Sequence, residues 1–460
     1  MARVLLAVML VATLTFAGCA QQESIEQGSS SGRTGTVPTT ADTGAADINL
    51  DALVEVPNPL DGDNPVFDEK PMKPPKPGEA VEFEGLGTSF VRVTEQPRMR
   101  HEYARFDPFN ADKSMIVLFN DGWFVYRTEI PYNAEENLVR AIEVEEARWD
   151  RTDPARLVGL RDFSIISINV ETGEEEVLKD FAEDPTIGPL IKKERDLYRV
   201  TTKDEGETSY DGRYWALALQ GMEQDYRLRY IFCWDSVEDE VLGTYALKRE
   251  HAEMDWVGMS PKGEWMLIAS DTGNGKPFDG FVIADKNLTE FHQLEIATGH
   301  SDVGLDTSGN EVIVMQNART DYVDLIPLRP DVKPVDSPEA YEGSGHQKIV
   351  RLFYANESPY GFNSSVHISC NANGYALIST YQDPGMGAKN WLDRSIVLVR
   401  LDPDAAKVYQ VAKIHNSTAD FWEETHGAIS NDGAVVVWSA NFDVDPGSRE
   451  THLLRVDLPR

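Results

Sequence analysis

Cysteine is nearly absent: three residues in a chain of 460 exclude a disulfide-built scaffold, and a chain of this length can bury a core without such staples. Cations are also scarce. Lys and Arg number 43 against 77 Asp and Glu, a formal charge of −34, and such a field keeps a chain soluble while repelling nucleic acid and other polyanions. No nucleic-acid partner is expected, and an anionic substrate would need a local cation. Beyond residues 4–16 there is no long apolar run that could cross a bilayer as a helix. No apolar stretch repeats at 3.6 residues, which excludes a helical bundle, and no serine nucleophile elbow is present. The glycines of DTGNGKPFDG, from Asp271, lack the strand-to-helix context of a phosphate loop. Asn441, Asp443 and Asp445 lack the sixth-position glycine of an EF-hand and read as a hairpin loop.

The chain opens with Arg3, an apolar run over residues 4–16, and then Ala17, Gly18 and Cys19, the three-part layout of an export signal covering residues 1–18. The string FAGC resembles the bacterial lipobox, which implies lipidation of Cys19. Ala20 rather than aspartate follows it, which by that resemblance favours the outer membrane. Residues 19–79 are rich in Ser, Gly and Thr and later in Pro, with Pro71, Pro74, Pro75 and Pro77. That composition reads as a disordered tether. Cys233 and Cys370 fall in the third and sixth repeats described next, too far apart for a bridge.

From residue 80 to 460 one unit recurs, a polar turn followed by an alternating apolar strand. The copies read FDPFNADKSMIVLF, RWDRTDPARLVGL, TSYDGRYWALAL, DWVGMSPKGEWMLIAS, VGLDTSGNEVIVM, HISCNANGYALIST and HGAISNDGAVVVWSA. Their turn residues are Asp112, Asp153, Asp211, Lys262, Ser308, Asn373 and Asp432. Further strands follow each copy, as in FSIISINVETGEEEVLKDF. About four short strands per repeat predict an all-β, seven-bladed β-propeller of four-stranded antiparallel blades. The last copy lacks an outer strand, and SFVRVT, residues 89–94, is expected to supply it and latch the ring.

MSPKGEWMLIAS and ISNDGAVVVWSA resemble the WD40-like repeats of TolB-type propellers, which implies the fold and leaves the function open. The starts of the inner strands, where side chains of different blades converge at one mouth, are rich in histidine. His101, His251, His300, His367 and His426 lie at or before five of the seven copies, out of nine histidines in all. Converging imidazoles suit a divalent metal or a base titrating near neutral pH. Equally, they suit hydrogen bonds that close the ring.

The segment WEETHGAISNDGAVVVWSANF, residues 422–442, resembles the last blade of oligogalacturonate lyases, propellers with a manganese site. By that resemblance His426 and His367 would be ligands and Glu423 would take a glutamine position, with Mn, Zn or Ca as the metal. Ala428 stands where that family has a further histidine. RHEYARFDPFNAD, residues 100–112, is similar to ulvan lyases in offering His101 and Tyr103. The chemistry implied is β-elimination beside a uronate carboxylate, which needs a charge neutraliser and a base. Arg100, Arg105 or a metal would neutralise, and His300 or His101 would be the base. The loops 327–347 and 381–391 are expected to rise from a rim, with Tyr341, Tyr360 and Trp391 able to stack on sugar rings. Three readings stand: a monomeric, lipid-anchored lyase of an acidic oligo- or polysaccharide, a TolB-like scaffold binding an envelope protein, and a propeller whose histidines only close the ring.

Overall fold

A computed structural model describes residues 45–67, 69–251, 254–317, 319–354, 365–381 and 390–460. The export segment, Cys19 and Tyr360 lie outside these residues. Seven antiparallel sheets follow one another along the chain. The first blade comprises Met115–Phe119, Trp123–Arg127 and Leu138–Ile142, with Phe109 bridged to Ile116 in place of a full inner strand. The third, Leu197–Thr201, Tyr214–Gly221, Leu228–Asp235 and Glu240–Ala246, shows the regular four-strand order from axis to rim.

The repeated turn is shaped by backbone that L side chains avoid. Gly212, Gly263, Gly309, Gly374 and Gly433 take φ between +69° and +83°, and Lys113 fills the equivalent place in the first blade at +62°. After the turn, the expected alternation is overridden in the second strands. Met266–Ser270 and Val435–Ala440 are buried at every position, because neighbouring blades cover both faces of each sheet. Exposure returns along rim strands such as Glu240–Ala246. The core is therefore a series of layers between blades; Trp438, Phe90, Leu377 and Ile396 belong to the one between the sixth and seventh.

The ring closes as its sequence implied. Ser89–Arg92 pairs with His452–Asp457 through Leu454↔Arg92 and Arg455↔Val91, completing the seventh blade, and Ala80–Glu82 adds a fifth strand outside it.

The tether reading fails for residues 45–79. Val54–Val56 pairs antiparallel with Lys407–Lys413 at the edge of the sixth blade. Ile48 and Leu53 join the core, and Glu69 forms an ion pair with Arg394 while accepting from the His415 amide at 2.8 Å. Prolines dominate the composition, but an extended apolar segment needs only an exposed strand edge to gain backbone bonds. Cys233 and Cys370 are both free and buried. Among the described residues no helix is long and apolar enough to cross a membrane.

Candidate functional site

Four of the five flagged histidines meet where inner strands begin. His367 lies within Ser365–Ser369, His300 immediately precedes Ser301–Leu305, and His426 stands two residues before Ala428–Ile429. His101 sits in the segment leading to the first blade, which the Arg100 and Phe119 backbones anchor by pairing. The rings of His367 and His426 stack at 4.2 Å between centroids, and His300 approaches His367 edge-on at 4.8 Å. Tyr103 packs against both His367 and His426 at 5.2 Å, and its hydroxyl lies 3.2 Å from His300 Nδ1. His251 takes no part. Its Nδ1 accepts from the Lys248 amide and its ring packs on Phe278.

His426 holds φ at +45°, a strained conformation for a side chain without special local compensation. The strain is fixed from two sides. His101 Nε2 bonds to the His426 carbonyl, and His426 Nε2 lies 3.1 Å from the Phe421 carbonyl. A ring nitrogen facing a carbonyl must carry the proton, so the Nδ1 atoms of His101 and His426 are left as acceptors. Among the described residues they are buried without a partner, as is His367 Nδ1.

Burial, reinforced by Arg100, holds His101 down at about 4. His367 and His426 are held well below the usual imidazole range, first by burial and then by their neighbours' charges. Burial lowers His300 as well. At neutral pH these are unprotonated rings, the form that binds metal or takes a proton.

Glu423 does not join them. Its carboxylate accepts from the amides of Gly447 at 2.8 Å, Arg449 at 2.9 Å and Ala419 at 3.1 Å. The 3₁₀ turn Phe421–Glu423 directs Glu423 inward and hands the neighbouring position to Glu424. Glu424 Oε2 lies 2.9 Å from His367 Nε2 and 3.9 Å from His426 Nε2. Burial, with Asp420 nearby, pushes Glu424 up to about 7 despite the Tyr381 hydroxyl that bonds it and the Arg100 charge. Tyr381 also stacks on His367 at 4.9 Å. The sequence signal for Glu424 was its place beside Glu423; nothing local distinguished the two.

Arg105 is not a free neutraliser. Its Nη1 donates to Glu205 at 3.2 Å, its Nε lies 3.5 Å from Asp302, and its guanidinium covers Trp256 at 3.8 Å. Arg100 is the cation beside the cluster. It is enclosed by Trp422 at 4.4 Å, Phe119 at 5.4 Å and Phe421 at 5.6 Å, and its burial lowers it to about 10, still charged at neutral pH.

His101 is sealed, whereas His300, Tyr103 and Glu424 are only partly buried and Phe421 is 46% exposed. Ligand access therefore lies on the His300, Glu424 and Phe421 side. The aromatics expected on loops do other work. Trp391 is fully buried and donates to the Asp61 carbonyl at 3.1 Å, and the Tyr341 hydroxyl bonds Asp324 at 2.8 Å. Asp443 is engaged by Arg394 and Ser417 rather than by a calcium loop.

Solved structures share this architecture. An oligogalacturonate lyase in complex with manganese matches 83% of this chain and 96% of its own at 10% identity and a TM-score of 0.53. An oligogalacturonate lyase from Vibrio parahaemolyticus matches over the same shares and at the same identity, with a TM-score of 0.51. TolB from Acinetobacter baumannii matches 68% of this chain and 63% of its own at 11% identity and a TM-score of 0.32. At such identities the likeness is one of fold. No protein-family model and no curated protein matches the chain.

A metal can be tested against the donors present. One atom each of His367, Glu424 and His426 lies within 4.8 Å of the others, and two imidazoles with a carboxylate suit a divalent first-row cation, provided that His426 gives up its Nε2 bond to the Phe421 carbonyl. Ala428, buried in its strand, supplies no further ligand.

Proposed function

We propose that this chain is an exported, lipid-anchored propeller of the cell envelope that binds an acidic oligosaccharide at the imidazole mouth and cleaves it by β-elimination. The observation that carries this reading is the convergence of His300 from the fifth blade, His367 from the sixth, Glu424 and His426 from the seventh and Tyr103 from the segment entering the first. Nothing in the packing of one blade requires five polar rings and acids to meet there.

Elimination next to a uronate carboxylate requires that the carboxylate be neutralised before the C5 proton can leave. Arg100 supplies a fixed positive charge beside Glu424. A divalent cation held by His367, Glu424 and His426 would supply further neutralisation when bound. His300, half-buried and unprotonated at Nε2, takes the C5 proton there while its Nδ1–H donates to the Tyr103 hydroxyl; the C4–O bond breaks as the C4=C5 double bond forms, and the leaving oxygen takes a proton from solvent. Phe421 offers an apolar face 4.9 Å from His426 on which a sugar ring can stack.

The test is incubation of the purified chain with saturated oligouronates of several kinds while the ultraviolet absorbance of unsaturated product is followed. Product with the native chain, and none with His300→Ala, supports the reading. No product from any uronate removes the enzyme. The near-complete burial of His101, His367 and His426 favours the second reading, a non-catalytic envelope scaffold, which recovery of one stoichiometric envelope partner by such an inactive chain would support.

A further inference from the structure

A second histidine and carboxylate cluster lies away from the mouth. Glu295 ends the rim strand Phe291–Glu295 of the fourth blade, Asp324 lies in Tyr322–Pro327 of the fifth, and His346 directly precedes that blade's rim strand, Gln347–Arg351. Their side chains are 1%, 0% and 0% exposed respectively. His346 Nδ1 is 3.3 Å from Asp324 Oδ2 and 3.8 Å from Glu295 Oε2, and the three atoms lie within 4.8 Å of one another.

The opposite atom of each group is already committed. His346 Nε2 faces the Leu294 carbonyl at 3.1 Å and so carries a proton. Glu295 Oε1 accepts from the Ile296 amide at 2.7 Å. Asp324 Oδ1 accepts from the Tyr341 hydroxyl at 2.8 Å, which also reaches Oδ2 at 3.0 Å. Asn317 Nδ2 supports both inward oxygens, at 3.3 Å from Glu295 Oε2 and 3.0 Å from Asp324 Oδ2, and also reaches the Val335 carbonyl at 3.1 Å.

With Nε2 bonded to the Leu294 carbonyl, His346 turns Nδ1 toward two carboxylate oxygens. Two buried carboxylates side by side in a sealed, low-dielectric space are costly unless a positive charge sits between them. Four ligands set tetrahedrally at about 2.1 Å from a metal stand about 3.4 Å apart, and the measured 3.3 and 3.8 Å fall close to that spacing. A ligating histidine that donates its other N–H to a backbone carbonyl, and ligating carboxylates held by outer hydrogen bonds, are the usual support of such a site.

We infer that Glu295, Asp324 and His346 hold a divalent cation of the zinc or manganese class that staples the fourth blade to the fifth. The cation fixes the end of the 327–347 loop, and its binding adds to folding stability because the unfolded chain has no such site. The inference is independent of the proposed lyase activity.

The experiment uses the full chain carrying His367→Ala and His426→Ala, so that the mouth cannot contribute metal. After dialysis, elemental analysis is expected to find about one equivalent of zinc or manganese per chain. Prolonged chelation should lower Tm by several degrees, and added Zn²⁺ should restore it. Adding His346→Gln should remove both the metal and the response to chelator. Should that variant not fold, exchange of Co²⁺ into the chain with His346 intact should give the visible absorption of a cobalt site with nitrogen and oxygen ligands. A folded chain that is free of metal, with one Tm in chelator and in Zn²⁺, overturns the inference. The triad would then be neutralised by a proton rather than a cation.

Discussion

Two clusters in this propeller use the same donors and sit in opposite surroundings. At the mouth, His367 and His426 meet Glu424, which is 16% exposed on its side chain and adjoins half-buried His300 and Tyr103. Between the fourth and fifth blades, His346 meets Glu295 and Asp324 with no face open to solvent. Imidazole and carboxylate by themselves do not define a role. What differs is enclosure: half-buried His300, Tyr103 and Glu424 leave the mouth partly open, whereas the cluster between blades is closed. The mouth is strained, with His426 at φ +45°, whereas no member of the sealed cluster takes a positive φ.

The largest expected effect comes from emptying the mouth. The His367→Ala/His426→Ala double variant should lose uronate cleavage by at least about 10²-fold while remaining folded, as product formation and circular dichroism would report. Retained activity would make the mouth structural and erase the contrast with the sealed cluster.

Next in size is ring closure. Deleting residues 80–95 strips the rim strand from the seventh blade and removes Phe90, fully buried beside Trp438. Phe90→Ala alone should cost about 3–5 kcal/mol, read from denaturant unfolding. An unchanged unfolding curve on deletion would show that the strand is not a latch.

A smaller effect separates the adjacent acids. Glu424→Gln should weaken uronate binding with little change in Tm, and Glu423→Gln should lower Tm by weakening three amide contacts with little change in binding. Reversal of the two outcomes would return Glu423 to the site.

The smallest is a pH effect at the latch. His452 Nδ1 lies 3.4 Å from Arg92 Nη1 across the closing strands, and burial followed by the Arg92 charge lowers this imidazole to about 4. The folded chain binds the proton more weakly than the unfolded one, so stability present above about 6.5 is lost as pH falls toward about 4. His452→Gln should flatten the fall of Tm across that interval. An equally steep profile would assign the acid sensitivity elsewhere.

Much of the fold was legible because its cause is local. A turn needing positive φ writes glycine or a tolerant residue at the same place in each blade, and strands on either side write short apolar runs. The missing rim strand in the last copy pointed to residues 89–94 for the same reason. The histidines were legible as starts of inner strands, since the fold brings those starts together. Glu424 was not, because the choice between neighbouring acids depends on the turn Phe421–Glu423 and on amides from residues 447 and 449. Arg105 looked free in sequence and is occupied by Glu205 and Asp302, which arrive from the third and fifth blades. The strap of residues 45–79 was misread because composition reports chain entropy and does not reveal an open strand edge. Glu295, Asp324 and His346 carried no motif; rim and third strands of different blades bring them together only after folding.

One titration tests the central claim most directly: calorimetric binding of a saturated oligouronate to the native full chain and to the His367→Ala/His426→Ala variant at neutral pH. Saturable binding to the native chain and none to the folded variant is expected. Equal binding to both would contradict the assignment of the imidazole mouth as the ligand site.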